Sequence, residues 1–298
     1  MVSKLGSSSK PKLACEIAAD RVLAGRVSDR GNVIETCASV ELSPGSLIPD
    51  LIESNLKDRA RVSQTIREAL GIVSGRTHDV IAVLPDTAIR VALLDFESLP
   101  ANRQEADGVV RFRLKKSLPF DVEKAKISYD AQTSTNGLRV IAAVALASVI
   151  EDYESAFRDA GYSPGVVLPS MLAALGATAA EKPTMVVKVD ARTASIAILE
   201  RQQLLLFRTL ENARGAAITG EQLAEEVYPS IVFFQDTYHL NLEQIFVAGI
   251  SDSGNALPAL ETQTGVAVHE LVSSSQLGTS FGSVPRWRMA GVVGALLS

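Results

Sequence analysis

Little in this chain suits a catalyst or a membrane span. Only two of its 298 residues are cysteine and only three are histidine: His78, His239 and His269. The histidines have no metal-ligand spacing, so zinc chemistry lacks a ligand set. Cys15 and Cys37 lie in apolar, strand-like surroundings. That favours two buried free thiols in a reducing compartment over a disulfide. No apolar run approaches the roughly 18 residues that signal a membrane span. The longest stretch, Val140 to Val149, is short and lies mid-chain. The opening MVSKLGSSSKPK is basic but no apolar segment follows it, so no secretory signal is expected. No H-E-x-x-H, P-loop or G-x-G-x-x-G motif occurs. Net charge is −5, which argues against a general nucleic-acid binder but leaves room for a local basic patch.

What remains is a globular composition. Hydrophobic residues make up 47% and charged residues 21%, enough to bury one large core or two medium ones. The chain is expected in the cytoplasm or on the cytoplasmic face of a membrane.

Residues 1–11 read as a flexible leader. Leu13 to Val27 reads as two short strands about a turn at Ala18-Ala19-Asp20, and Val33 to Leu42 as a third. A helix follows, beginning near Ile48 and ended by Gly71 and Gly75. Val80 to Leu84 (VIAVL) is a continuous apolar run of the kind shown by a strand buried on both faces. Further on, Ile89 to Phe96 is a strand and Asn102 to Leu118 a helix. Lys126 to Gln132 and Leu138 to Ala147 are strands. A helix over Ser148 to Ala160 takes Ser148 as N-cap, and another covers Ser170 to Ala180. The second half repeats the opening meander: Met185 to Asp190, Ser195 to Leu199 and Leu204 to Leu210. Gly220 to His239 is a long helix that Pro229 should kink, with Leu223, Val227, Ile231 and Phe234 facing the core. Its Glu225-Glu226 pair belongs to the solvent side. Gln244 to Ala248 is a strand, Ala256 to Thr264 a helix and Val266 to Leu271 a strand. A small-residue helix closes the chain from Arg286 to Leu297.

The stretch Arg111 to Asp130, RFRLKKSLPFDVEKAKISYD, organises the rest. Leu118-Pro119 ends a basic helix, because the residue before proline avoids α geometry. Phe120 anchors a corner, and Ile127, Tyr129 and Ala131 then alternate at strand period. The residues alone read as a helix–turn–strand connection with a solvated basic face. An acidic-then-basic helix, then "LPF", a short acidic segment and "Y-D" also resembles the PilM family of type IV pilus assembly proteins. These are actin-like and related to FtsA. The resemblance covers residues 12 to 298.

It implies an α/β, actin-like (ribonuclease-H-like) duplicated fold with an inserted βαββα subdomain. The first domain would comprise 12–87 and 166–181, the insertion 88–165 and the second domain 182–284. The helix at 285–298 would return to the first domain. It also implies places for ATP and Mg²⁺: a first hairpin at Glu16, Ala18 and Asp20, a second at Asp190 and Thr193, and an adenosine turn at Gly249. The fit there is poor. Glu16 stands for an aspartate and Ala18 for a glycine, no glycine follows Asp190, and Gly249 is single. The connector before Gly220 is also about ten residues where the family has a longer segment. Bare main chain lets N–H groups approach phosphate, and Cβ atoms obstruct that. The expectation is therefore no cofactor and no hydrolysis.

In the family, a groove between the inserted subdomain and the first domain binds the short N-terminal tail of PilN, a single-span membrane protein. The resemblance carries that role to Arg111, Phe112, Lys115, Lys116, Leu118, Pro119 and Phe120. The phenylalanines would equally serve as core, and the basic residues would equally face anionic lipid. Other pilus assembly proteins would be further partners. An active actin-like ATPase and a GspL-like type II secretion component are the alternatives.

Overall fold

Apolar strand runs at both ends of the chain build two sheets of the same design. A computed structural model describes residues 10–134, 137–212, 214–251, 256–279 and 281–298. Most of the expected leader lies outside them. β1 (Leu13–Ile17), β2 (Arg21–Val27) and β3 (Ile34–Glu41) form an antiparallel meander. β4 (Asp79–Leu84) and then β8 (Ser163–Pro169) add in parallel on the far side of β1. The order is β3-β2-β1-β4-β8.

The second half repeats it with β9 (Thr184–Val189), β10 (Thr193–Glu200), β11 (Gln203–Glu211), β12 (Gln244–Ala248) and β13 (Ala267–Glu270), in the order β11-β10-β9-β12-β13. The expected duplication is thus present strand for strand. β9 is buried at every position, as a central strand covered on both faces must be.

Helices fill the layers. α1 (Arg59–Val73) and α3 (Ala147–Asp159) cover the outer face of the first sheet, with Tyr153 and Phe157 fully buried against it. α5 (Gly220–Tyr238) and α6 (Ala256–Thr264) cover the second, with Leu223, Val227, Ile231 and Phe234 inward as their spacing predicts. Between the lobes lie α4 (Ser170–Leu175) and α7 (Ala290–Leu297), packed on each other. One apolar cluster there unites Ala14, Leu23, Ile81 and Val83 with Val186, Ala197 and Ala248. α7 touches β1, β2 and β4.

The insertion follows its expected order: β5 (Arg90–Phe96), α2 (Arg103–Lys115), β6 (Ala125–Ser134), β7 (Gly137–Leu146), then α3. Its three strands pair as β5-β7-β6 over a small core of Val110, Leu114, Val140, Ala142 and Val144. α3 instead packs with α1 in the core of the first lobe.

Several boundaries differ from expectation. α1 starts at Arg59, because Asp58 caps it and residues before it form a loop about buried Asn55, which donates to the carbonyls of Asp50 and Glu53. α2 ends at Lys115, three residues early, where Ser117 turns both its N–H and its hydroxyl back on the Leu114 carbonyl. Ser148 does not cap α3, which begins at Ala147. α4 is only six residues long. The expected helix from Arg286 begins as a single 3-10 turn and becomes α-helical at Ala290. Strand β8 was not among the expected elements.

Candidate functional site

Strand alternation decides what faces the cleft between the lobes. Along β1, Cys15 and Ile17 point to the outer core and Ala14 and Glu16 to the inter-lobe layer; along β9, Val186 and Lys188 do the same. The two hairpins therefore meet. The Lys188 ammonium lies 3.1 Å from the Glu16 carboxylate and 2.5 Å from that of Asp190. Arg21 reaches Asp20 at 2.8 Å and Asp190 at 3.4 Å. Ser170 donates to Glu16 at 2.5 Å. Deeper in, Asp86 accepts from the Met171 N–H at 2.9 Å and from the Ser195 hydroxyl at 2.7 Å. Glu16 and Lys188 are each only 4% exposed, so these are interior ions.

Their titration follows from that setting. Burial alone would lower the Lys188 pKa, but Asp190, Glu16 and Asp86 outweigh it and hold the ammonium above its ordinary range. Burial pushes the Asp86 carboxyl up to about 6, despite the opposing pull of Lys188 and two hydrogen bonds. Burial likewise raises the Cys15 thiol; both cysteines are buried and free.

The residues present do not fit Mg-ATP. The carboxylates that would orient a metal are paired with Lys188 and Arg21. The Ala18 N–H donates to Arg21 O and the Asp190 N–H to Thr193 O, each closing its own turn. The short connector folds back onto the second hairpin: Asn212 is 1% exposed, and its N–H donates to Arg192 O at 2.7 Å. Gly249 has φ +85° and its absent Cβ would stand 1.7 Å from Val189 O; its N–H donates to Trp287 O. That glycine is needed for the chain's own packing. Gly291 of α7 leaves space for the Glu16 carboxylate, which a Cβ would meet at 2.5 Å. Among the described residues no cluster of three His, Cys, Asp or Glu could hold a metal ion.

In the structure Lys188 and Arg21 link Glu16 and Asp20 of the first hairpin to Asp190 of the second, while Ala18 and Thr193 close the two turns. Sequence reasoning missed Lys188, Arg21, Asp86, Ser170 and Ser195. One signal was available for Lys188: a lone cation inside the continuous apolar run MVVKVD, where only a paired charge survives burial. Glu16 is not a solvated turn residue but a buried ion-pair partner.

The string Gly278-Thr279-Ser280-Phe281-Gly282 matches G-x-S-x-G. It follows the single 3-10 turn Ser274–Gln276 and runs beside β3, where Gly278 N–H donates to Ile34 O and Cys37 N–H to Phe281 O. A nucleophile elbow needs a strand-to-helix turn; Ser280 itself lies outside the described residues.

The second set of residues is split by its surroundings. Phe112 is 71% exposed and Val109, one turn earlier, 38%. Lys115, Lys116 and Pro119 are also exposed. Arg111 is half-buried and donates to Val122 O at 3.1 Å. Leu118 and Phe120 are half-buried and pack, with Ile127 and Tyr129, on the core of the insertion. A depression of 530 Å³ lies elsewhere, between α1 and α3, lined by Ser63, Arg67 and Asp159. No described helix is long and apolar enough to cross a membrane.

No family model and no curated protein matches the sequence. Solved structures do match the fold. A chain of a PilM–PilN type IV pilus biogenesis complex superposes with TM-score 0.79 at 19% identity, over 96% of this chain and 98% of that one. A Bacteroides thetaiotaomicron protein of actin-like ATPase fold gives 0.54 at 12%, over 89% and 91%. The cytoplasmic domain of EpsL, an inner-membrane component of the Vibrio cholerae type II secretion system, gives 0.52 at 9%, over 88% and 98%. The duplicated, two-lobed body described above therefore has the actin-like fold, similar along nearly its whole length to the chain from the pilus complex.

Proposed function

We propose that this chain is a PilM-type scaffold of a type IV pilus assembly complex, held on the cytoplasmic face of the inner membrane by the N-terminal tail of a PilN-type protein. The observation that carries this is the similarity to the PilM–PilN chain, which leaves almost no part of either chain unmatched. A second observation supports it. α2 presents an exposed phenylalanine beside exposed Lys115 and Lys116, the mix of apolar anchor and basic rim that suits a short tail. The cleft takes no part in catalysis, because its ions are paired with one another. The fold similarity to EpsL favours an inner-membrane secretion component as the second reading.

The test is capture of the full chain by a synthetic PilN-type tail. Phe112→Ala is the cleaner probe, since Phe120 also packs the insertion. Loss of capture in Phe112→Ala, with Glu225→Ala unchanged, supports the assigned surface. Equal capture in both rejects it.

A further inference from the structure

We infer that the two lobes are latched to each other by protein cations. Lys188 of the second lobe holds Glu16 of the first, and Arg21 of the first holds Asp190 of the second, so the cleft is shut from within. The inference rests on the reading of the cleft as one that takes no nucleotide, and goes beyond it.

The pairs are reciprocal. Each hairpin supplies one cation and one anion to the other, at 3.1 Å for Lys188–Glu16 and 3.4 Å for Arg21–Asp190. Both cations are intramolecular and buried, 4% and 7% exposed, so water and salt screen them little. A third link crosses below them, from the Ser195 hydroxyl to Asp86 at 2.7 Å. Asp190 joins the two pairs, since it also holds Lys188 at 2.5 Å. Lys188 is the member whose loss strands a buried charge, because Glu16 has no other cation among the described residues; Lys188 and Arg21 each keep a second carboxylate, Asp190 and Asp20.

The open side is tied as well. The Gln132 side chain of β6 pairs with the β11 backbone at Leu204, donating at 2.7 Å and accepting at 3.1 Å. Arg139 of β7 donates to the Tyr238 hydroxyl at 2.9 Å and lies 5.7 Å from the ring centre. The insertion, carried by the first lobe, is thereby fastened to the second. A body closed at both the hairpins and the insertion presents a fixed outer surface whatever the nucleotide level around it.

The test measures the distance between the lobes in the full chain. Glu68 of α1 and Asp236 of α5 are exposed and lie on opposite lobes, and both native thiols are buried. Spin labels at Glu68→Cys and Asp236→Cys should give one narrow distance distribution, unchanged by millimolar Mg-ATP. The triple variant Arg21→Gln, Glu16→Gln, Lys188→Met removes both pairs while leaving no buried charge on Glu16 or Lys188. It should add a longer, broader population. If circular dichroism shows that variant unfolded, the same triple with Lys188→Gln in place of Lys188→Met, which keeps a hydrogen-bonding group beside residue 16, is read the same way. An unchanged distribution in the folded variant overturns the latch and leaves the nucleotide reading standing. Mg-ATP bound by the wild type in equilibrium dialysis overturns the nucleotide reading beneath it.

Discussion

The cleft and the α2 surface carry the same kinds of side chain and use them in opposite ways. Lys188 is almost wholly buried and bonded to Glu16 and Asp190. Lys115 and Lys116 are exposed beside an exposed phenylalanine. In the first region the low dielectric makes each charge depend on its partner; in the second, water already solvates the ammonium groups. The lesson is that the region which looks chemical, with its carboxylates and turns, is satisfied internally. The region with no catalytic residue type has its apolar and basic groups turned to solvent. The first has its charges paired with one another, and the second leaves its groups facing water.

The largest effect that would break this contrast is at Lys188. Lys188→Ala strands Glu16 beside Ser170 in the interior, and should cost about 3–5 kcal/mol in urea unfolding. Adding Glu16→Gln should restore much of it; a loss below about 1 kcal/mol in the single variant would mean the cleft is wetter than its geometry implies. Next is pH. Asp86 keeps its proton up to about pH 6 when folded and releases it near pH 4 when unfolded. Its contribution is therefore full below about pH 4 and lost as pH rises through about 6, on the order of 3 kcal/mol. Asp86→Asn should flatten that part of the stability profile relative to wild type.

On the other surface, Phe112→Ala should change stability by less than about 0.5 kcal/mol and weaken tail binding roughly tenfold or more, read by titration calorimetry. Smallest is Lys115→Ala with Lys116→Ala, a few-fold loss of affinity that fades as salt is raised. A stability loss at Phe112 as large as at Lys188 would erase the distinction between the two regions.

Much of the architecture was readable before the structure. The two meanders, the turn at Ala18-Ala19-Asp20 and the core face of α5 follow from apolar period and breakers alone. Strand β8 did not. Its SPGVVLP contains two prolines and a glycine, which interrupt a strand pattern; it pairs with β4 at a sheet edge through a register shift that lets Gly165 bulge out. α1 does not begin near Ile48, because Ile48 and Ile52 are exposed on a loop and give a helix no face to bury. Pro229 was expected to disturb α5, and it lies on an exposed face of one unbroken helix.

By itself the order of residues determined the repeated strand–strand–strand–helix–strand plan and where its turns fall, because hydrophobic period and turn chemistry are local properties. Only the tertiary structure decided what those turns do. Lys188 and Glu16 are 172 positions apart in sequence, and nothing local says that they meet at 3.1 Å. Charge pairing in an interior depends on the packing of two sheets about α4 and α7, and that packing also decides that Phe112 is left outside while Phe120 is drawn in.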